Sequence, residues 1–302
     1  MPIVNNTTQI YPKRLNLELS ALCSYACAPC PNTYMSRQKG HMDLKLFKSI
    51  YDEVDHIVER VSLWNYGESM LNPNIEEIVD YTLGKKPFTS LSTTGMNLYT
   101  FKDLSFLSNL DEVIISLNGL DQETYEYHQQ KGKLEKVLIG LEKLKTVMNP
   151  SKTNYVLQFL VNSRNINQIS QVEDFAKKYA FHKIVFKSFN DMDNTIETKN
   201  KFIPKEIQFT RNVIEYNQSD YEKYPCNEWM VINWNGDVNI CCWDYEGKII
   251  IGNVKEQGVL GTWQSVKMKK LKNKLKTEKI LDFCGGCIQN TIISEKMVHN
   301  GL

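Results

Sequence analysis

Arg14-Leu15-Asn16-Leu17-Glu18-Leu19, followed three residues later by Cys23-Ser24-Tyr25-Ala26-Cys27-Ala28-Pro29-Cys30, is the stretch on which the fold turns. The first run alternates apolar and polar residues and reads as a β-strand. The second carries three cysteines at C-x3-C-x2-C, so one loop leaving the carboxyl end of a strand holds three thiols. Further on, Leu44, Phe47, Ile50, Val54 and Ile57 recur at the helical period, and strand and helix patterns then alternate to about residue 190. The strands are expected at Arg14–Leu19, Val61–Trp64, Thr89–Ser92, Glu112–Leu117, Tyr155–Val161 and Lys183–Phe186. Helical periodicity also marks Leu134 to Leu141 and Ile169 to Tyr179, and Asn72-Pro73 reads as an N-cap followed by proline. Alternation of this kind predicts parallel βαβ units. Six units are too few for a closed eight-stranded barrel, so residues 12–190 are expected to form a partial (β/α)6 TIM-like barrel.

Composition narrows the possibilities. The chain has 302 residues, of which 42% are apolar and 24% charged, enough to build a large core. Its 36 Lys and Arg against 35 Asp and Glu leave a net charge of +1 and no field that would attract nucleic acid or an anionic membrane. The apolar runs fall short of the roughly 18 residues of a membrane span, and Met1 to Asn6 lacks the features of a signal peptide, so a cytoplasmic protein is expected.

Strand rhythm fades between residues 191 and 224, which read as a connecting segment with a helix near Lys205–Tyr216. Residues 225–302 are expected to form a small α+β domain. Within it, Met230-Val231-Ile232-Asn233-Trp234 and Asp237-Val238-Asn239-Ile240-Cys241 flank Asn235-Gly236, which predicts a β-hairpin with a type I′ turn. All eight cysteines fall in two groups: Cys23, Cys27 and Cys30, then Cys226, Cys241, Cys242, Cys284 and Cys287. In a reducing compartment such clusters point to metal binding or catalysis rather than disulfides.

A structural zinc site needs four protein ligands, and the nearest candidate fourth, His41, lies eleven residues beyond Cys30. Three thiolates suit a [4Fe-4S] cluster with one iron left open. This loop, in this position, resembles that of the radical SAM superfamily. The resemblance implies that the open iron binds S-adenosylmethionine and that reductive cleavage gives a 5′-deoxyadenosyl radical, which abstracts hydrogen from carbon. It also implies an external one-electron donor such as flavodoxin or ferredoxin.

Tyr66-Gly67-Glu68-Ser69 is similar to the family's Gly-Gly-Glu-Pro segment, which assigns Gly67 and Glu68 to the ammonium end of S-adenosylmethionine. Ser116-Leu117-Asn118-Gly119 is similar to Ser-Leu-Asp-Gly, which places Ser116 and Asn118 near the ribose. Thr93-Thr94, Asn162 and Lys187 end strands three, five and six and are expected to line the cavity, because barrel sites form at the carboxyl ends of strands. Pro29, Ser69 and Thr94 depart from the family's usual residues, and the adenine contacts find no match.

Cys226, Gly236, Cys241 and Cys284-Gly285-Gly286-Cys287 are similar to the SPASM or twitch domain that follows many radical SAM barrels. The resemblance implies one auxiliary [4Fe-4S] cluster on Cys226, Cys241, Cys284 and Cys287, with zinc on four cysteines the alternative. Cys242 is left over. Were the strand to continue, Cys242 would face away from Cys241 as an inert thiol; the alternative role is to return a hydrogen atom to a substrate radical.

Three functions follow from these readings. The first is a radical SAM oxidoreductase acting on a small polar, sugar- or cyclitol-like substrate, with the auxiliary cluster relaying an electron. The second is a peptide-modifying enzyme, an epimerase or maturase; the 22 residues before Cys23 are too few for a fused leader-binding domain. The third is a non-catalytic binding protein stapled by metal.

Overall fold

The structure, a computed structural model, describes residues 11–28, 30–189, 195–210, 224–278, 284 and 292–298. Six strands run parallel in chain order: β1 (Arg14–Leu17), β2 (Arg60–Ser62), β3 (Phe88–Thr93), β4 (Glu112–Ser116), β5 (Asn154–Val161) and β6 (Lys183–Ser188). Each pairs with the next, which is the expected partial barrel. Leu15, Leu17 and Leu19 are fully buried on one face of the first strand, while Asn16 and Glu18, also buried, point to the other.

Helices α1 (Leu44–Val54), α2 (Ile75–Thr82), α3 (Gln122–His128), α4 (Leu134–Val147) and α5 (Val172–Lys178) connect the strands. In α1 the periodic residues Leu46, Phe47, Ile50, Tyr51 and Val54 are buried, each large apolar side chain contributing roughly 1.5–3 kcal/mol. Asp43 caps this helix by accepting from the amides of Lys45 and Leu46.

Two local expectations are corrected. Asn72 does not cap α2, which starts at Ile75 after Asn74. Its side-chain amide turns inward, donating to the carbonyls of Leu19 (2.7 Å) and Met42 (2.9 Å), buried acceptors at the end of the first strand that need a donor, while its Oδ1 accepts from the Asn74 amide (2.8 Å) ahead of the helix. A helix, α6 (Ile196–Phe202), lies ahead of the expected one near Lys205–Tyr216, of which residues 211–216 lie outside the described residues. Thr195 caps it, and Pro204 forces Ile203 into an extended conformation, so residues 205–210 form only a short turn.

The C-terminal hairpin forms between β7 (Trp229–Ile232) and β8 (Asp237–Asn239), with β9 (Ile250–Asn253) beside it. Only Gly236 of the Asn-Gly pair takes positive φ (+92°), so the turn is not type I′. Asn235 instead accepts from the Asp237 amide (3.1 Å) and donates to its carboxylate (2.7 Å). This corresponds to a type I turn closed by a left-handed glycine, which needs one such residue and not two.

The hairpin is continuous with the barrel sheet, because β7 pairs in parallel with β1 from Arg14↔Trp229 to Leu17↔Ile232. At the far edge β10 (Ile292–Met297) pairs antiparallel with β6. The sheet therefore runs β10-β6-β5-β4-β3-β2-β1-β7-β8-β9. Helices α7 (Val254–Trp263) and α8 (Val266–Leu275) complete the C-terminal part. Among the described residues no helix is long and apolar enough to cross a membrane.

Helix α7 breaks at Gly258 (φ +68°), where the Glu53 carboxylate of α1 accepts from the amides of Val259 (2.7 Å) and Leu260 (2.8 Å). Glu53→Ala leaves two amides without this acceptor and is expected to cost about 1–2 kcal/mol. A urea midpoint equal to that of the parent would count against this.

At the carboxyl ends of the strands, His128 is buried against Phe189 and Phe202, whose rings stack 5.1 Å apart. The Asn118 amide meets its Nδ1 at 2.9 Å. Burial pulls His128 down to about 4 from the usual 6.5. The unfolded chain therefore takes up this proton first as the pH falls. Stability from this group is complete above pH 6.5 and is lost towards pH 4, by roughly 3 kcal/mol. His128→Gln is expected to flatten that dependence; urea unfolding at pH 7.5 and 5 compares the two proteins, and an unchanged slope overturns the assignment.

Candidate active site and auxiliary metal site

The thiol loop leaves β1 and is tied down at several points. Asn32 Nδ2 donates to the Ala21 carbonyl (2.7 Å), the Glu68 amide to the Leu22 carbonyl (2.8 Å), and the Ala26 amide to the Gln130 carbonyl (3.0 Å). Within the loop the Cys30 amide closes a turn on the Cys27 carbonyl at 2.8 Å. Gly67 makes the crossing possible. At φ +91° it lies so close to the loop that a Cβ there would stand 2.1 Å from the Ser20 carbonyl oxygen.

Cys23, Cys27 and Cys30 are half-buried and act on one another electrostatically. Burial pushes Cys23 up to about 12, and the Glu68 and Cys30 charges add to the rise. Cys27 stands well above the ordinary thiol value through burial, reinforced by Cys30 and Cys23; burial also raises Cys30. Neutral thiols crowded in this way are a donor set that a bound cation would deprotonate. Among the described residues no three Cys, His, Asp or Glu side chains already stand at metal-binding spacing. The donor set suits a thiolate-ligated cluster, with ligands that must close around it.

Glu68 faces this loop from the end of the second strand. Its buried carboxylate accepts from the Thr94 amide (2.9 Å), the Thr94 hydroxyl (2.7 Å) and the Met70 amide (3.1 Å). No Lys or Arg among the described residues pairs with it. Across the loop the Tyr25 and Tyr125 hydroxyls share a 2.5 Å hydrogen bond. Burial raises both phenols, and the Glu68 charge acts on both. The structure thus gathers Cys23, Cys27, Cys30 and Glu68, together with Thr94 and the two tyrosines. Tyr25 lies inside the thiol loop and could have been inferred from its position; Tyr125 lies on α3 and left no signal.

Ser116 and Asn118 sit at the end of β4 and are occupied locally. Ser116 Oγ accepts from Gln158 (3.1 Å), and Asn118 Oδ1 accepts from the Leu160 amide (3.0 Å). Of the other strand-end residues, Thr93 Oγ1 accepts from the Gly95 amide, and Asn162 is fully buried with its Nδ2 unpaired among the described residues. Lys187 is half-buried near the end of β6.

Cys226 lies in the turn Pro225–Asn227 before β7, and Cys241 and Cys242 follow β8; Cys284 is described, whereas Gly285, Gly286 and Cys287 lie outside the described residues. The expected opposite orientation of Cys241 and Cys242 is corrected. β8 ends at Asn239, whose side-chain amide donates to the Asp244 carbonyl (2.6 Å), and the resulting turn brings the two thiols within hydrogen-bonding reach. Tyr66 sits between the two cysteine groups: its phenol is raised by burial first, then by Cys242, Cys30 and Cys241. Its ring meets Tyr245 edge-on at 6.1 Å, and Tyr245 meets Tyr34 at 5.7 Å.

Known proteins place this arrangement. The chain is 25% identical over 170 residues to "Mycofactocin maturase MftC" of Mycolicibacterium smegmatis, covering 56% of this chain and 42% of that one. It is 24% identical over 170 residues to a "Probable GTP 3′,8-cyclase" of Methanococcus maripaludis, covering 55% and 56%. The chain spans about half the length of these curated relatives. Its fold is shared with Streptococcus suis SuiB bound to S-adenosylmethionine (TM-score 0.66, 15% identity, 92% of this chain and 71% of that one). It is shared also with BtrN in complex with AdoMet and 2-DOIA (TM-score 0.51, 18% identity, 87% of each). Residues 226–288 match the SPASM family, described as an iron-sulfur cluster-binding domain. With residues 17–171, just over half of its length, matching the radical SAM superfamily, the chain belongs to that superfamily and is a radical SAM enzyme with a SPASM domain.

Proposed function

We propose that the chain is a radical SAM oxidoreductase in which Cys23, Cys27 and Cys30 hold the cluster that binds S-adenosylmethionine. The observation that carries this is the meeting of three thiols with a buried carboxylate, Glu68, that has no cationic partner among the described residues. When bound, the cluster and S-adenosylmethionine supply a radical that removes hydrogen from carbon, and an auxiliary cluster on Cys226, Cys241, Cys284 and Cys287 supplies an acceptor for one electron.

The chain's own residues do the remaining work. Glu68, fixed by Thr94 and Met70, offers its carboxylate to the ammonium group, and Gly67 lets that segment lie against the thiol loop. Ser116 and Asn118 border the ribose from the end of β4. Tyr25 and Tyr125 close the loop from the side and exclude water.

The substrate is a small polar molecule. In support, β7 covers the edge of β1 and β10 covers the edge of β6, so an extended peptide finds a sheet edge only at β9 and β10, outside the six barrel strands. A peptide is the second reading. It is favoured by the relative named as a maturase and by SuiB solved with its precursor peptide SuiA, and it would use Cys242, beside Cys241, as a hydrogen donor.

Anaerobic reconstitution followed by a product assay tests the chemistry. Cys23→Ala, Cys27→Ala and Cys30→Ala are each expected to abolish 5′-deoxyadenosine formation, and normal formation by any one of them would sink the assignment. The triple variant should keep about four irons, one cluster's worth, at the C-terminal site. Cys226→Ala and Cys241→Ala are expected to spare cleavage of S-adenosylmethionine while stopping turnover of substrate. Stoichiometric zinc, with iron for only one cluster in the intact protein, overturns the auxiliary assignment. Oxidation of a sugar or cyclitol supports the first reading, and modification of a precursor peptide replaces it with the second.

A further inference from the structure

Helix α8 carries the run Val266-Lys267-Met268-Lys269-Lys270-Leu271-Lys272-Asn273-Lys274-Leu275, in which five lysines do not share one environment. Lys267, Lys269, Lys270 and Lys274 are exposed. Lys272 is 8% exposed and lies on the inward face with Met268 and Leu275, at the spacing where a helix of this kind presents an apolar residue. Its ammonium stands 3.3 Å from the centre of the Trp263 ring and donates to the Asn227 carbonyl at 3.2 Å. Among the described residues no carboxylate pairs with it.

Among the described residues this part-buried ammonium has one carbonyl acceptor and one aromatic face, and no anion balances its charge. An anion would balance it, and the surroundings indicate where one belongs. Asn227 is the neighbour of Cys226 in the same turn, and the charges of Lys272 and Cys226 act on one another. A four-iron cube held by four thiolates carries net negative charge, which grows by one on reduction. An ammonium fixed beside one of its ligands therefore favours the reduced state over the oxidised one.

We propose that Lys272 is the built-in counter-charge of the auxiliary cluster and raises its reduction potential. This rests on the reading that Cys226 is a ligand of that cluster. Trp263 and Asn227 hold the ammonium in place, so that its charge acts from a fixed position rather than from solvent. The residue acts through Cys226 and the cluster and touches no substrate; it is a positioning residue that sets how readily the acceptor takes an electron.

The test uses the full chain carrying Cys23→Ala, Cys27→Ala and Cys30→Ala, so that the auxiliary site alone contributes to the spectrum. After reconstitution with iron and sulfide, a potentiometric titration followed by electron paramagnetic resonance gives the midpoint potential. Adding Lys272→Met is expected to shift the potential lower at unchanged iron content, and Lys272→Arg to hold it near the parent value. An unchanged potential in the loaded Met variant overturns the role of Lys272 while leaving the cluster assignment standing. Zinc without iron in the parent removes the cluster assignment and the proposal with it. Should the Met variant lose its cluster, Lys272→Gln is titrated against the same criterion. Loss in both neutral variants with retention in Arg supports the counter-charge, and loss in all three overturns it.

Discussion

The carboxylate of Glu18 has no exposed surface and stands where β1 gives way to the thiol loop. Arg37 grips both of its oxygens, with Nη1 at 2.9 Å from one, and the Trp234 amide approaches at 3.4 Å. Breaking such a buried pair by removing one partner costs about 3–5 kcal/mol, because the other charge is left stranded. The pair brings little net stability over an apolar replacement; what it fixes is position. β1 is hydrogen-bonded to β2 on one side and to β7 on the other, so its carboxyl end cannot drift. The loop that carries Cys23, Cys27 and Cys30 inherits that rigidity.

Arg37 also joins the two cysteine groups. Its Nε donates to the Tyr245 carbonyl at 2.6 Å, and Glu246 accepts from the Ser36 amide (2.9 Å) and hydroxyl (2.8 Å). Tyr245 and Glu246 belong to the loop that follows Cys241 and Cys242. One guanidinium therefore holds the end of β1, the segment after the thiol loop and the loop after the hairpin. Tyr66 fills the space between them, packed with Ala21 and Met35.

Much of this architecture is legible in the amino-acid sequence. The alternation of Arg14–Leu19 and the helical period of Leu44–Val54 give the elements they imply, because each buries one face against the same core. The close backbone approach expected at Gly67 has its physical counterpart in the structure, where a Cβ would meet the Ser20 carbonyl oxygen. Other features leave no local signal. Ile292-Ile293-Ser294-Glu295-Lys296-Met297 is mostly exposed and carries Glu295 and Lys296, so β10 follows from the free edge of β6 and not from an alternating pattern of its own. The pairing of β7 with β1 joins residues more than two hundred positions apart, a contact that no window of sequence contains. The Cys241-Cys242 pair misleads because a strand pattern continues past Asn239, where the Asn239 side chain bonds instead to Asp244 and turns the chain.

The scaffold and the ligands differ in how far they are prepared. The backbone of the thiol loop is fastened by amides and side chains at Ala21, Leu22, Cys27 and Gln130, yet the three thiols stop short of metal-binding spacing and burial holds them protonated. Uncompensated thiolates in that space would repel one another, so closing the ligand set ahead of the metal would be costly. The metal charge removes that obstacle, releasing protons as the thiolates form. The ordering of the thiol loop is met within the fold, by the pairing of β1 and the burial of Glu18.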